Sequence, residues 1–172
     1  LLMLTIIVGL TVSAPRLLGQ TGPQTLPASG LPNGAATADQ VLRGRMLVAS
    51  SGCSDCHNRG PDNPSDPNWL AGYLPNTPGQ PFQIGPFKTY PKNLTPDKTT
   101  GIGMVSERQI FNALRFGLRP GETPDVTITS MTPGQGNFPA NPRYLAPPMP
   151  WPEWRHMSDR ELWAIAAYLK RG

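Results

Sequence analysis

The sequence predicts an all-α fold, with about three main helices separated by long loops around one small core. Three stretches with apolar residues at helical spacing each follow a capping pair. Between them, 22 Pro and 18 Gly residues in a chain of 172 break regular structure. Hydrophobic residues make up only 38% of the chain. We therefore expect a large apolar cofactor to help fill the core.

The first residues are expected to direct export of the chain. Residues 1–14 begin with an apolar run that is shorter than the roughly 20 residues of a membrane span. Ser13 and Ala14 supply the small residues of a cleavage site, so a signal peptide and an uncleaved N-terminal membrane anchor both fit. Residues 15–36 are predicted to form a flexible linker, and residues 37–172 the folded domain.

The first predicted helix spans residues 41–49. Thr37 and Gln40 form a capping pair ahead of it, and Gly52 ends it just before two cysteines. Residues 58–97 are rich in proline and are predicted to be loop, with one short helical turn at residues 68–72.

The second and third helices carry the same start signals. Ser106 and Gln109 cap a helix that closes at Gly117. After an irregular stretch, Ser158 and Glu161 form the capping box of the last helix. Its predicted core face consists of Leu162, Ile165, Ala166 and Leu169.

A C-x-x-C-H motif carries the chemistry. Thiols at Cys53 and Cys56 can reach the two vinyl groups of one porphyrin, and His57 then lies beneath the iron. A zinc site would need a fourth ligand, for which only His156 and carboxylates remain. A thioredoxin-like redox pair expects βαβ surroundings, which the sequence lacks. The motif therefore predicts one covalently bound haem c.

The second axial ligand is predicted to be Met149. Prolines on both sides hold its loop extended, so that a weak thioether is presented without ordering a flexible segment. Met131 and His156 are the alternatives, whereas Met46 and Met104 are expected to fill the core. With His57 and Met149 both bound, the iron has no vacant position, and outer-sphere one-electron transfer is the expected reaction.

Several further segments carry a family resemblance. They are Gly44-Arg45, Asn93-Leu94-Thr95-Pro96-Asp97, Thr100-Gly101-Ile102-Gly103, Ala113-Leu114-Arg115, Pro148-Met149-Pro150-Trp151, Met157-Ser158-Asp159 and Ala167-Tyr168-Leu169. With the haem motif, they make the chain from about Ala38 onward resemble the class I cytochrome c fold. More narrowly, it resembles the single-haem domains of cytochrome c subunits of bacterial alcohol and gluconate dehydrogenases.

The resemblance implies roles for individual residues. Met149 would be the axial sulfur ligand, and Trp151 would belong to the cofactor site. Tyr90, Asn93 and Thr95 would lie near the haem propionates, with ordinary turn residues as the alternative.

Two packing details are also implied. The first and last helices would cross at Gly44, against Ile165 and Tyr168. The carbonyl of Pro61 or Pro67 would accept a hydrogen bond from the proximal imidazole.

The predicted function is a periplasmic electron carrier, soluble or anchored to the inner membrane by its N-terminus. It would relay electrons between a dehydrogenase or quinol-oxidising complex and a terminal oxidase or other acceptor. A net charge of +4 fits docking onto an acidic protein or a solvated basic surface, and no nucleic-acid module is present.

Two other functions stay open at this point. One is a haem enzyme, such as a peroxidase or a thiosulfate-type oxidoreductase. The other is a structural haem subunit of a membrane complex that docks through residues 120–144. That segment is longer than the usual connection in the family, and this chain has one attachment motif where those subunits typically have three.

Overall fold

The computed structural model describes residues 36–73 and 82–171; the predicted signal or anchor and nearly all of the predicted linker lie outside the described residues. In order along the chain, the described elements are α1 (Ala38–Ser50), α2 (Cys53–His57), β1 (Phe82–Ile84), β2 (Phe87–Thr89), α3 (Glu107–Phe116), a 3-10 turn (Pro120–Glu122), α4 (Trp151–Trp154) and α5 (Asp159–Arg171).

The three predicted helices are confirmed as α1, α3 and α5. At the start of α1, the Thr37 hydroxyl accepts the Gln40 N–H at 3.2 Å. Ser106 and Gln109 form both bonds of a capping box at α3, which ends at Gly117 with a left-handed φ of 71°. Every residue of the predicted core face of α5 is buried.

The packing of α1 against α5 depends on the absence of a side chain at Gly44. A Cβ there would overlap the carbonyl oxygen of Ala164 and would lie 2.7 Å from the Cβ of Tyr168. The expected crossing at Gly44 against Tyr168 is therefore confirmed. The other nearest neighbour is the main chain of Ala164 rather than Ile165.

One main core lies between these helices and the loops around them. Its buried members come from α1, α2, α3, α5 and the turn before residue 71. They are Val48, Cys53, Trp69, Leu70, Ile110, Leu114, Leu162, Trp163, Ile165, Ala166, Tyr168 and Leu169. The expectation that Met46 and Met104 fill this core is wrong, since 66% of Met46 and 77% of Met104 is exposed.

Two elements differ from the predicted loop at residues 58–97. Residues 82–89 form an antiparallel hairpin in which Phe82 pairs with Thr89 and Ile84 with Phe87. Residues 68–72 form hydrogen-bonded turns rather than a helix, because Leu70 has a φ of 62° that no right-handed helix can include. None of the helices in the described ranges has both the length and the apolar character needed to cross a membrane.

Residues 120–144 form a lobe with a small core of its own. Ile128 and Phe138 pack with Leu118 at the end of α3, apart from the main core. The ends of the lobe are joined by the Arg119 N–H, which donates to the Arg143 carbonyl at 2.9 Å. The predicted lack of regular structure is confirmed except for the 3-10 turn, but the second core was not predicted.

Side chains of α3 hold the near side of this lobe. The Gln109 amide donates to the Thr123 carbonyl at 2.6 Å, and the buried Asn112 amide donates to the Val126 carbonyl at 3.0 Å. These bonds satisfy lobe carbonyls that have no partner in regular structure.

Candidate haem attachment site

The short helix α2 brings the two cysteines of the motif together. It begins after Gly52, whose φ of 73° allows the chain to turn sharply out of α1. Cys53 and Cys56 then lie one helical turn apart on neighbouring positions of the same face. Both thiols are free, Cys53 being buried in the main core and Cys56 half-buried.

A main-chain carbonyl fixes the orientation of the His57 imidazole. Its Nδ1 lies 2.7 Å from the carbonyl oxygen of Lys92. Because a carbonyl only accepts hydrogen bonds, Nδ1 carries the proton and Nε2 keeps a free lone pair. This is the tautomer that a metal ligand needs.

The expectation that Pro61 or Pro67 accepts this hydrogen bond is wrong. The Pro61 carbonyl instead accepts the side-chain amide of Asn58 at 2.9 Å, so the loop after His57 turns back on itself. Residues 91–94 lie beside the end of this loop, where the Leu94 N–H donates to the Leu70 carbonyl at 2.8 Å. That pairing brings the Lys92 carbonyl to the imidazole.

Burial shifts the titration of both groups. It lowers the pKa of the His57 imidazole below its usual value, and the hydrogen bond to Lys92 opposes this only in part. Burial also raises the pKa of the Cys53 thiol to about 11. At neutral pH the site therefore holds a neutral imidazole and a protonated thiol.

These residues fit a haem c. Two unpaired thiols one turn apart match the spacing of two porphyrin vinyl groups, and the adjacent imidazole offers an unprotonated nitrogen. Cys53 itself belongs to the apolar main core. A bound haem would supply a one-electron iron couple.

The residues expected near the propionates form a compact loop. The Asn93 carboxamide oxygen accepts the Thr95 N–H at 2.8 Å and its hydroxyl at 2.7 Å, and the Asn93 amide donates to Thr100. This is the behaviour of the ordinary turn residues named as the alternative. Tyr90 is half-buried next to Pro91. The approach of these side chains to propionates stays a prediction.

Met149 lies on the loop that directly precedes α4. It is half-buried and lines an open depression of about 290 Å³ together with Trp151 and a series of prolines. Of the alternative ligands, Met131 accepts a hydrogen bond at its sulfur from the Arg155 guanidinium at 2.9 Å, and His156 is exposed. The thioether of Met131 is thus already occupied by a cation.

Trp151 is held by three neighbours. Its ring stacks on Tyr144 with centroids 6.0 Å apart and an interplanar angle of 7°. The Arg155 guanidinium lies 5.8 Å from the ring centroid, and the indole covers Gly117. The sequence analysis identified Trp151 but missed Tyr144 and the contact of Trp151 with Gly117. The only sequence signal at Gly117 was its position at the end of a helix.

No family model matches the chain. It is 29% identical over 149 residues to the gluconate 2-dehydrogenase cytochrome c subunit of Pantoea cypripedii, which covers 86% of this chain and 26% of the relative. It is 28% identical over 154 residues to the fructose dehydrogenase cytochrome subunit of Gluconobacter japonicus, covering 89% of this chain and 25% of the relative.

The chain is similar to cytochrome subunits of dehydrogenases. A third relative, a nicotinate dehydrogenase subunit of Pseudomonas putida, is 28% identical over 162 residues, covering 94% of this chain and 11% of the relative. The chain therefore spans about a quarter or less of the length of these curated relatives. Because each match covers 86% of this chain or more, it includes the central region with the Cys53–His57 motif.

Proposed function

We propose that this chain is a haem c domain that relays single electrons within or next to a dehydrogenase complex. The observation that carries the proposal is the state of the His57 imidazole, which directly follows the two free thiols in sequence. Its Nδ1 donates a hydrogen bond to the Lys92 carbonyl at 2.7 Å, which leaves Nε2 free to bind a metal. The naming of two relatives as cytochrome subunits of gluconate and fructose dehydrogenases supports the same class.

The fold proposed for the domain is that of a class I cytochrome c, with His57 and Met149 as the two axial ligands. The packing of α1 against α5, and a Met149 loop that comes between α3 and α5 along the chain, support it. Saturated ligation leaves no site for a substrate at the metal, so we propose an electron-transfer subunit rather than a catalytic one.

The partner proposed is a dehydrogenase on the donor side, with a quinol-oxidising complex as the alternative donor and a terminal oxidase as one acceptor. Export to the periplasm is part of the proposal, and the apolar residues within 1–14 support it. Residues 1–14 are proposed to act either as a cleaved signal peptide or as a membrane tether.

The attachment is tested by producing the chain in cells competent in haem c maturation and measuring its mass after denaturation. We expect the mass of one haem in addition to the polypeptide. The variant Cys53→Ala/Cys56→Ala should have the mass of the polypeptide alone. An unmodified mass for the wild type would contradict the proposal.

The ligand is tested with Met149→Ala, using Met104→Ala as the matched control because 77% of Met104 is exposed. We expect Met149→Ala to lose the near-infrared sulfur-to-iron band of the oxidised protein and to bind carbon monoxide when reduced. Its reduction potential should fall, since methionine ligation raises the potential. The control should keep the band. Peroxide turnover by the wild type would favour a haem enzyme instead.

A further inference from the structure

The segment of residues 145–151 that presents Met149 makes few internal bonds. Between its two ends, the described backbone hydrogen bonds are local: the Met149 N–H donates to the Ala146 carbonyl at 3.2 Å, and the Trp151 N–H donates to the Met149 carbonyl at 2.9 Å. The prolines at positions 147, 148 and 150 carry no N–H at all. These bonds shape the segment but do not hold it against the rest of the protein.

Both ends of this segment meet at one residue, Gly117. At the first end, the Leu145 N–H donates to the Gly117 carbonyl at 2.7 Å. At the other end, the indole of Trp151 lies directly on the Gly117 α-carbon. A Cβ at position 117 would overlap two indole carbons and would lie 2.7 Å from Cζ2.

Gly117 suits this role because it ends α3. Its φ of 71° is in the left-handed region, and its own N–H closes the helix on Ala113 at 2.9 Å. The position of Gly117 is therefore fixed by α3. Its lack of a side chain allows both the left-handed backbone conformation and the close contact with the indole.

The indole is also prevented from leaving. Tyr144 stacks on it, and the Tyr144 main chain is fixed by the Arg119 guanidinium, whose Nε donates to its carbonyl at 2.9 Å. Arg155 lies over the ring and is itself bonded to the Met131 sulfur in the lobe. The lobe of residues 120–144 thus reaches Trp151 from two directions.

We infer that Gly117 and Trp151 are positioning residues for the Met149 thioether, with the lobe holding the indole in place. The inference rests on the proposed axial role of Met149. A small residue on a rigid helix end and a large ring on the loop together fix where the loop lies. This preorganisation opposes detachment of a ligand that binds weakly by itself.

The test uses Gly117→Ala with Gly85→Ala as the matched control. Gly85 has a φ of 55° but nothing within 4 Å of an added Cβ, so the control carries the backbone cost without the collision. In holoprotein from maturation-competent cells, we measure carbon monoxide binding by the reduced form, the sulfur-to-iron band, and hydrogen exchange of the Leu145 amide.

We expect Gly117→Ala to raise two quantities by about tenfold or more: the fraction of protein whose Met149 is detached from the iron, and the exchange rate of the Leu145 amide. The reason is that overpacking destabilises a tightly packed site. Gly85→Ala should leave both unchanged. Equal behaviour of the two variants in exchange and in carbon monoxide binding would overturn the inference.

Trp151 variants keep the test valid if Gly117→Ala does not fold. Trp151→Ala should increase carbon monoxide binding, and Trp151→Phe should restore most of the wild-type behaviour because it keeps a ring over Gly117. Carbon monoxide binding by Trp151→Ala that matches the wild type would contradict the inference.

The two parts of the argument, that Met149 binds the iron and that Gly117 and Trp151 fix its loop, fail in different ways. A wild type without the sulfur-to-iron band would contradict the axial role of Met149. Hydrogen exchange of the Leu145 amide would still test whether Gly117 and Trp151 fix the loop. Its protection in the wild type, and the loss of that protection in Gly117→Ala, need no iron–sulfur bond.

Discussion

Glu161 joins the start of α5 to α1 through a single carboxylate. Its Oε2 accepts the Ser158 N–H at 3.2 Å and the Ser158 hydroxyl at 3.0 Å, while its Oε1 accepts the Arg43 guanidinium at 2.9 Å. The hydrogen bonds from Ser158, and then the charge of Arg43, hold the pKa of this carboxyl below its usual value.

This shift has a defined consequence for stability. A carboxyl whose pKa is lower in the folded state stabilises the protein above its unfolded pKa of about 4.3, and the contribution is lost as the pH falls through the folded value. The carboxylate is partly exposed, so its ion pair with Arg43 and its capping bonds from Ser158 together should contribute about 1 kcal/mol.

We therefore predict that Glu161→Gln lowers the free energy of unfolding by about 1 kcal/mol at pH 7 and by much less below pH 4. Urea unfolding of the holoprotein at both pH values measures this. Glu153→Gln, at an exposed position of α4, is the control and should have little effect at either pH. An equal decrease in unfolding free energy at both pH values would contradict the prediction, because it would show that the charge of Glu161 does not contribute.

At the scale of elements, the contact of α1 with α5 is the main packing of the fold. It closes at Gly44, where helix backbones approach more closely than any side chain allows. A substitution here forces the helices apart along their whole length, because both are stiff and share one core.

Gly44→Ala is accordingly predicted to destabilise the holoprotein by about 3 kcal/mol, at the upper end for overpacked sites. Gly121→Ala is the matched control, since nothing lies within 4 Å of an added Cβ there, and it should be neutral. Denaturant midpoints at a constant slope measure both. A neutral Gly44→Ala would mean that α1 can shift without cost.

The elements that the sequence predicted are those with local signals. Capping pairs such as Ser106 with Gln109, together with apolar spacing, identified α1, α3 and α5, and the cysteine motif identified α2 as a site. The β1–β2 hairpin was missed because proline and glycine dominate the region. The bond from His57 to the Lys92 carbonyl was missed because it joins residues 35 apart in sequence through a backbone atom.

The same distinction applies to the site. Cys53, Cys56 and His57 are adjacent and therefore visible as a motif. Gly117 and Tyr144 meet Trp151 only through the tertiary fold, and no spacing rule links them to it. Arg155 follows Trp151 at the i,i+4 spacing of a helical turn. Exposure of Met46 and Met104 also depends on tertiary packing, which helical periodicity alone does not determine.

At the scale of the whole molecule, the described residues contain two separate cores. The main core is built on α5, and the smaller one consists of Leu118, Ile128 and Phe138 with Phe116 and Val126 beside it. Regions with few buried contacts open more readily than the rest of a protein. The lobe of residues 120–144 is therefore expected to open locally while the main core stays folded.

This predicts different responses to two core truncations. Ile128→Ala should weaken the lobe by about 2–4 kcal/mol. Native-state hydrogen exchange of the Thr129 amide, which is bonded to Gly136 at 2.8 Å, should accelerate without change in the Leu169 amide of α5. Leu162→Ala, in the main core, should accelerate both. Uniform acceleration by Ile128→Ala would indicate one cooperative unit.

The acceptor opposite the His57 imidazole is a peptide group, and this limits how the site can be altered. Any amino acid at position 92 supplies the same oxygen, so the electronic character of the ring is insulated from the identity of that side chain. Lys92, which is exposed, is free to change with the demands of solubility or of a docking partner. The surface beside the proposed haem can therefore change in sequence without altering the hydrogen bond of the imidazole.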